Sequence, residues 1–131
     1  MSILSKTLKL QIPSKIVYRA LKDTRLEILF PEFFIGVDRK VITDKINKEI
    51  SFNTITQGKQ IEILETFKFK ISNNNGTVVE YITETKSIEE NNIVLESIVQ
   101  THVANILYSL LMLETGYING VLDRKKIDNL I

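Results

Sequence analysis

Cysteine is absent from the 131 residues, which removes disulfides, thiol nucleophiles and thiolate metal sites together. Tryptophan is absent as well, and there is one histidine, His102, so no cluster of imidazoles can hold a metal. Charge of either sign is nowhere in excess. Seventeen basic residues against sixteen acidic ones leave a formal charge of +1, too little for the general field that draws nucleic acid or an anionic membrane. No apolar run approaches the roughly 20 residues that span a bilayer. The longest, around Ile106 to Leu113, is broken by Ser109. The opening stretch MSILSKTLKLQI alternates charged with apolar residues and lacks the continuous apolar core of a signal peptide, so the expected location is cytoplasmic. There is no glycine-rich phosphate loop, GxSxG elbow, HExxH pair or calcium loop, and the sequence calls for no cofactor and no metal.

What is present is ordinary for a globular chain: 44% hydrophobic and 25% charged residues, enough for one domain spanning 1–131. Abundant Ile, Lys, Glu and Asn suit an AT-rich genome and a hot habitat. Thr7 to Ile12 places Leu8, Leu10 and Ile12 on one face, the pattern of a half-buried strand. Pro13 then opens a helix, tolerated there because its missing N–H would have no partner in the first turn. Ile16, Val17, Ala20 and Leu21 form its apolar face. A second short helix covers Thr24 to Phe30 and is stopped by Pro31.

From about Val37 the period changes to two. Strands are expected at roughly 36–44, 49–56, 60–72, 77–87 and 93–102, joined by short connections of which Asn75-Gly76 is the strongest hairpin signal. Loops this short join only antiparallel neighbours, so the middle of the chain reads as a five-strand meander. A long helix is expected from Val103 to about Leu130. Its polar stripe runs Asn105, Ser109, Met112, Gly116, Asn119, Asp123, Lys126, and its remaining surface before Asp123 is broadly apolar. Arg124 to Lys126 suit the negative end of that helix. The order strand, two helices, meander, long helix is an α+β helix-grip fold, in which a curved antiparallel sheet is covered by the C-terminal helix.

The stretch Ile12-Pro13-Ser14-Lys15-Ile16-Val17-Tyr18-Arg19-Ala20-Leu21-Lys22-Asp23 resembles the opening of the START-related, birch-pollen-allergen-like superfamily, which includes polyketide cyclase/dehydrase-like proteins. Phe30-Pro31-Glu32-Phe33-Phe34 resembles its next landmark, a proline followed by an aromatic. The topology likeness covers nearly the whole chain and the motif likeness about the first thirty residues. The chain is similar to a compact, uncharacterised archaeal branch. The resemblance implies a cavity between sheet and helix for lipids, sterols, polyketides or other apolar molecules, with cyclases, hydrolases and chaperone partners among the relatives.

The candidate site residues come from strand faces. Ile61, Ile63, Glu65, Phe67, Phe69 and Ile71 share one face of the third meander strand, and that face must turn inward. Glu65 is then a carboxylate in an apolar row: an anchor for a ligand, an acid of raised pKa, or half of an ion pair. The next strand lines up Thr77, Val79, Tyr81, Thr83 and Thr85, hydroxyls that suit a pocket with a few orienting hydrogen bonds or simply reflect strand propensity. Phe30, Phe33 and Phe34 read as an aromatic gate or as packing. Leu107, Leu110, Leu111 and Tyr117 line the helix side, and Glu114 faces either the cavity or the edge of the polar stripe. His102, where the last strand meets the helix, reads as a capping or surface residue.

The leading expectation is a carrier of an apolar small molecule, held against Phe67, Phe69, Leu107, Leu110 and Leu111, with Tyr81, Thr83 and Glu65 at its polar end. A cyclase- or hydrolase-type enzyme using Glu65, Glu114 or Tyr81 is the alternative, provided two of them converge on one pocket. A protein-interaction module with a filled core is the third. The apolar breadth of the helix also leaves material for a homodimer interface, with Met112 or Phe33 the first place to look.

Overall fold

The computed structural model describes residues 2–23, 25–56, 61–72, 75–87 and 92–119. Strand β1 (Ser2–Leu10) leads through Gln11 to Pro13 into helix α1 (Ser14–Lys22), then a short helix α2 (Arg25–Leu29) and a 3-10 turn (Pro31–Phe33). Strands β2 (Val37–Lys45), β3 (Glu49–Thr56), β4 (Ile61–Ile71) and β5 (Thr77–Ser87) follow, and helix α3 (Asn92–Asn119) closes the described chain. The sheet order is β1-β5-β4-β3-β2, antiparallel throughout. The first strand thus pairs with the last, and the segment containing α1 and α2 carries the chain from one edge to the other.

The meander has four strands where five were expected. Residues 93–102, rich in β-branched side chains, belong to α3. Tertiary spacing overrides their strand propensity. Val99, Val103, Ile106, Leu110 and Leu113 are all buried and recur every three or four positions, so the apolar face of the helix begins well before Val103. At 28 residues, α3 is about 42 Å long. The expected continuation to Leu130, with Arg124 to Lys126, lies outside the described residues.

The polar stripe expected on α3 also turns out differently. Ser109 is fully buried, its hydroxyl donating to the Ile106 carbonyl at 2.7 Å, so that its burial leaves no unmet hydrogen bond. The stripe that faces outward carries Tyr108, Leu111, Met112 and Ile118.

On α1 the apolar face is as expected, with Ile16, Val17, Ala20 and Leu21 buried and Tyr18 joining them. This helix packs on β3 and β4, where the Tyr18 ring meets Phe69 edge-on at 6.4 Å. At the β4–β5 hairpin Asn75 takes a left-handed conformation (φ 62°), and the Ser72 N–H donates to the Gly76 carbonyl at 2.9 Å. Gly76 is required here for want of space. A Cβ would lie 2.7 Å from the Leu10 carbonyl oxygen and 2.6 Å from Ser72 Oγ.

One irregularity shapes the inner face. The β2–β3 ladder pairs Arg39 with Thr54 and Val41 with Phe52, then Thr43 with Ser51 and Asp44 with Ile50. Ile42 is the extra residue of a β-bulge. Before it the odd-numbered residues oppose the inward side chains of β3; beyond it the even-numbered ones do. Arg39 and Asp44 therefore lie on the same face of the sheet although they differ in parity, the Arg39 side chain buried and Asp44 exposed. Asp44 accepts a hydrogen bond from the Tyr18 hydroxyl and pairs with Lys22 at 3.0 Å.

Candidate functional site

Glu65 is 0% exposed in the middle of β4, flanked on the same face by Ile63 and Phe67. A carboxylate taken so far from water must be compensated, and four side chains do so. Thr54 Oγ1, on β3, donates to Oε2 at 2.5 Å. The Tyr81 hydroxyl, on β5, donates to Oε1. His102 Nε2, on α3, lies 2.6 Å from the same oxygen. Arg39, on β2, places Nη2 3.4 Å from Oε2. The guanidinium itself is buried, its side chain 3% exposed, seated 3.9 Å over the Phe52 ring centroid and reaching Glu27 through Nη1 at 3.3 Å. Two neighbouring strands, a third beyond them and one helix thus converge on one carboxylate.

Burial alone pushes the Glu65 carboxyl up. The Arg39 charge, then His102 and the hydrogen bonds from His102 and Thr54, outweigh it and hold the group down at about 2. The expectation of a raised-pKa acid is therefore overturned, because the strand pairing brings Arg39 and Thr54 to its side. Burial first, then the Glu65 charge, pushes the Tyr81 phenol well above its ordinary value, so it stays a hydrogen-bond donor. The capping or surface reading of His102 is likewise overturned. It is 4% exposed, inside α3 and directed at Glu65.

Beside this polar centre opens a pocket of about 360 Å³, between the 3-10 turn, the start of β2 and the N-terminal half of α3. Phe33, Ile35, Val37 and Ile98 give it apolar walls; Thr56, His102 and Asn105 give it polar ones; Glu32 contributes its acidic group. Thr56 is 3% exposed, and its Oγ1 has no hydrogen-bond partner among the described residues.

The expected site residues are distributed differently. Phe33 lines the pocket, while Phe30 and Phe34 are buried in the core beneath it. Phe67 stacks on Tyr81 at 4.6 Å and Phe69 packs on Tyr18, so both fill the interior. Leu110 is core, Leu107 and Tyr117 pack partly buried against it, and Leu111 faces outward. Thr83 lies opposite Glu65, buried, with no partner for its hydroxyl among the described residues. Glu114 accepts the Gln11 backbone N–H at 2.5 Å in a separate polar groove with Lys9 and Ser72. His102 and Glu114 are about 18 Å apart along α3 at 1.5 Å per residue. Glu65 and Glu114 therefore serve different ends of the helix and do not converge on one pocket. Arg39, Thr54, Thr56, His102 and Asn105 were not anticipated at the site. Among the described residues no group of three His, Asp or Glu is placed to hold a metal ion, and no helix is long and apolar enough to cross a membrane.

Five antiparallel strands with a long helix after them define an α+β helix-grip protein. The chain matches no family model and no curated protein by sequence. Its solved structural neighbours are helix-grip proteins. An HSP90 activator from Plasmodium falciparum superposes with a TM-score of 0.67 at 12% identity, over 86% of this chain and 96% of that one. The Aha1 dimer from Colwellia psychrerythraea gives 0.61 at 14%, over 88% and 96%. DynU16, from the dynemicin biosynthetic locus, gives 0.61 at 14%, over 88% of this chain and 48% of that one. At these identities the likeness is one of fold, and none of the three carries the archaeal placement.

Proposed function

We propose that the chain binds an apolar small molecule in the pocket formed by the 3-10 turn, β2 and α3. The observation that carries this reading is Thr56: a buried hydroxyl without a partner among the described residues, on a residue that lines a pocket whose other walls include Phe33, Val37 and Ile98. Buried polar groups are ordinarily paired, so an unpaired hydroxyl on a wall residue favours a molecule that brings it a partner. The volume sits near the lower end of the roughly 300–1,000 Å³ of small-molecule pockets. Each apolar group a ligand buries there contributes on the order of 1.5–3 kcal/mol. The START-like opening sequence and the DynU16 fold favour the same reading. Nile red, an uncharged solvatochromic dye, tests it: the expected result is saturable, blue-shifted emission that Ile98→Arg abolishes. Unsaturable emission indifferent to Ile98→Arg would place the dye on the outer surface and sink the reading.

A second reading has its own observation. Tyr108, Leu111, Met112 and Ile118 are exposed along one side of α3, Tyr108 at 59%. Such a stripe suits a second copy of the chain, and one neighbour is an Aha1 dimer.

A further inference from the structure

We infer that the ligand is a flat apolar molecule with uncharged polar groups along one edge, read by Ser97, Thr101 and Asn105 on α3; this deepens the binding reading above and rests on it. These three residues line the pocket and recur at every fourth position. On a helix that spacing sets them on one side, about 6 Å apart along the axis, in a polar row roughly 12 Å long. Ser97 and Thr101 are exposed and Asn105 is half-buried, so the row follows the accessible rim. Thr56 and His102, deeper in the wall, are almost wholly buried and leave the accessible contacts on α3 to the row.

The row needs no free donor to hold a ligand. A serine or threonine hydroxyl accepts a hydrogen bond even where its own O–H turns back to the preceding helical carbonyl, and an asparagine side chain both donates and accepts. The walls from the 3-10 turn and β2 are carbon: Phe33, Ile35 and Val37. The Phe33 N–H donates to the Phe30 carbonyl at 3.1 Å and the Val37 N–H to the Phe34 carbonyl at 3.2 Å, so neither is left for a ligand. A polar group pressed against these walls gives up water and gains no partner. A molecule polar along one edge lays that edge on α3 and its carbon on the turn. One polar along two opposite edges cannot satisfy both.

Charge sets the kind of polar group. Among the described residues no lysine or arginine lines the pocket, and the exposed Glu32 does. Arg39, buried further along β2, is turned to Glu65 and Glu27. An anionic edge would meet a like charge and no counter-ion.

The test displaces bound Nile red with two isomers that differ only in their edges: 2,7-dihydroxynaphthalene, with both hydroxyls on one long edge, and 2,6-dihydroxynaphthalene, with one on each. His102, the one histidine, lines the pocket, so its ring C–H proton signals place each probe there. The expected result is that the 2,7 isomer binds about fivefold more tightly, the worth of one neutral hydrogen bond. Thr101→Val, at an exposed position of α3, should remove most of that preference and leave Nile red bound. The 2,7-disulfonate of naphthalene should bind more weakly than either diol. Equal affinity of the two diols, a preference unchanged in Thr101→Val, or a disulfonate that binds as tightly as the diols would overturn the inference and leave the binding reading standing. So would bound Nile red that neither diol displaces. Nile red that never binds saturably would overturn both.

Discussion

Glu65 and His102 stand 37 positions apart in the chain and 2.6 Å apart in the fold. Their contact ties the centre of β4 to α3 and sets a polar group where a helix-grip interior would otherwise be apolar. Arg39 completes the arrangement from β2.

Removing the carboxylate strands the guanidinium. Glu65→Gln leaves the Arg39 side chain, 3% exposed, with Glu27 alone as a charged partner. The expected loss is about 3–5 kcal/mol, read from urea unfolding. A double change, Arg39→Met with Glu65→Gln, should recover much of it, since it removes the stranded charge and keeps an amide beside Thr54, Tyr81 and His102. A double variant as unstable as the single one would contradict this account.

Acid should weaken the fold through the same group. Glu65 sits at about 2 when folded against an ordinary 4.5, so the unfolded chain binds its proton more readily. The contribution is complete above about pH 4.5 and drains away as pH falls towards 2. It amounts to about 3 kcal/mol. Asp44, lowered by the hydrogen bond from Tyr18 and then by Lys22, acts in the same direction. Urea midpoints taken from pH 7 to pH 2 should fall steeply below 4.5, and less steeply in Glu65→Gln.

Gly76→Ala presses a methyl against the Leu10 carbonyl, which as backbone cannot turn aside. A cost of about 1–3 kcal/mol is expected in thermal or chemical unfolding. Ser72→Ala in the same chain should not rescue it, because the carbonyl contact remains. Full rescue would mean that Ser72 Oγ, at 2.6 Å, is the obstacle.

Met112→Glu tests the outer stripe of α3. If that face joins two copies, sedimentation should show a dimer for the parent chain and a monomer for the variant, with unfolding little changed because Met112 is 42% exposed. A parent chain that sediments as a monomer at high concentration ends the dimer reading.

Much of the fold was legible because periodicity was clean. The inward row of β4 is buried from Ile61 to Phe69, though Ile71 at its end is 80% exposed, and the hydroxyl row of β5 is buried as its alternation requires. The start of α3 was masked by the β-branched residues between 93 and 102, which carry strand propensity. The better clue was the spacing Val99, Val103, Ile106, Leu110, which runs without a break. Misplacing that boundary put His102 where a strand met the helix and hid it from Glu65. Arg39 left a fainter trace: a cation between Val37 and Val41 on the inward parity of its strand, needing an anion that only the pairing of β2, β3 and β4 could identify. The pocket walls come from three separate segments and had no local pattern to read.

Ile42, the surplus residue in β2, is 56% exposed and touches no part of the site, yet both halves of the inner surface depend on its being counted. Delete one position there and the strand must choose between presenting Arg39 to Glu65 and presenting Asp44 to Tyr18. The chemistry of that side chain is therefore free to vary while the spacing is not. At that one position of β2, substitutions are tolerated where an insertion or a deletion is not.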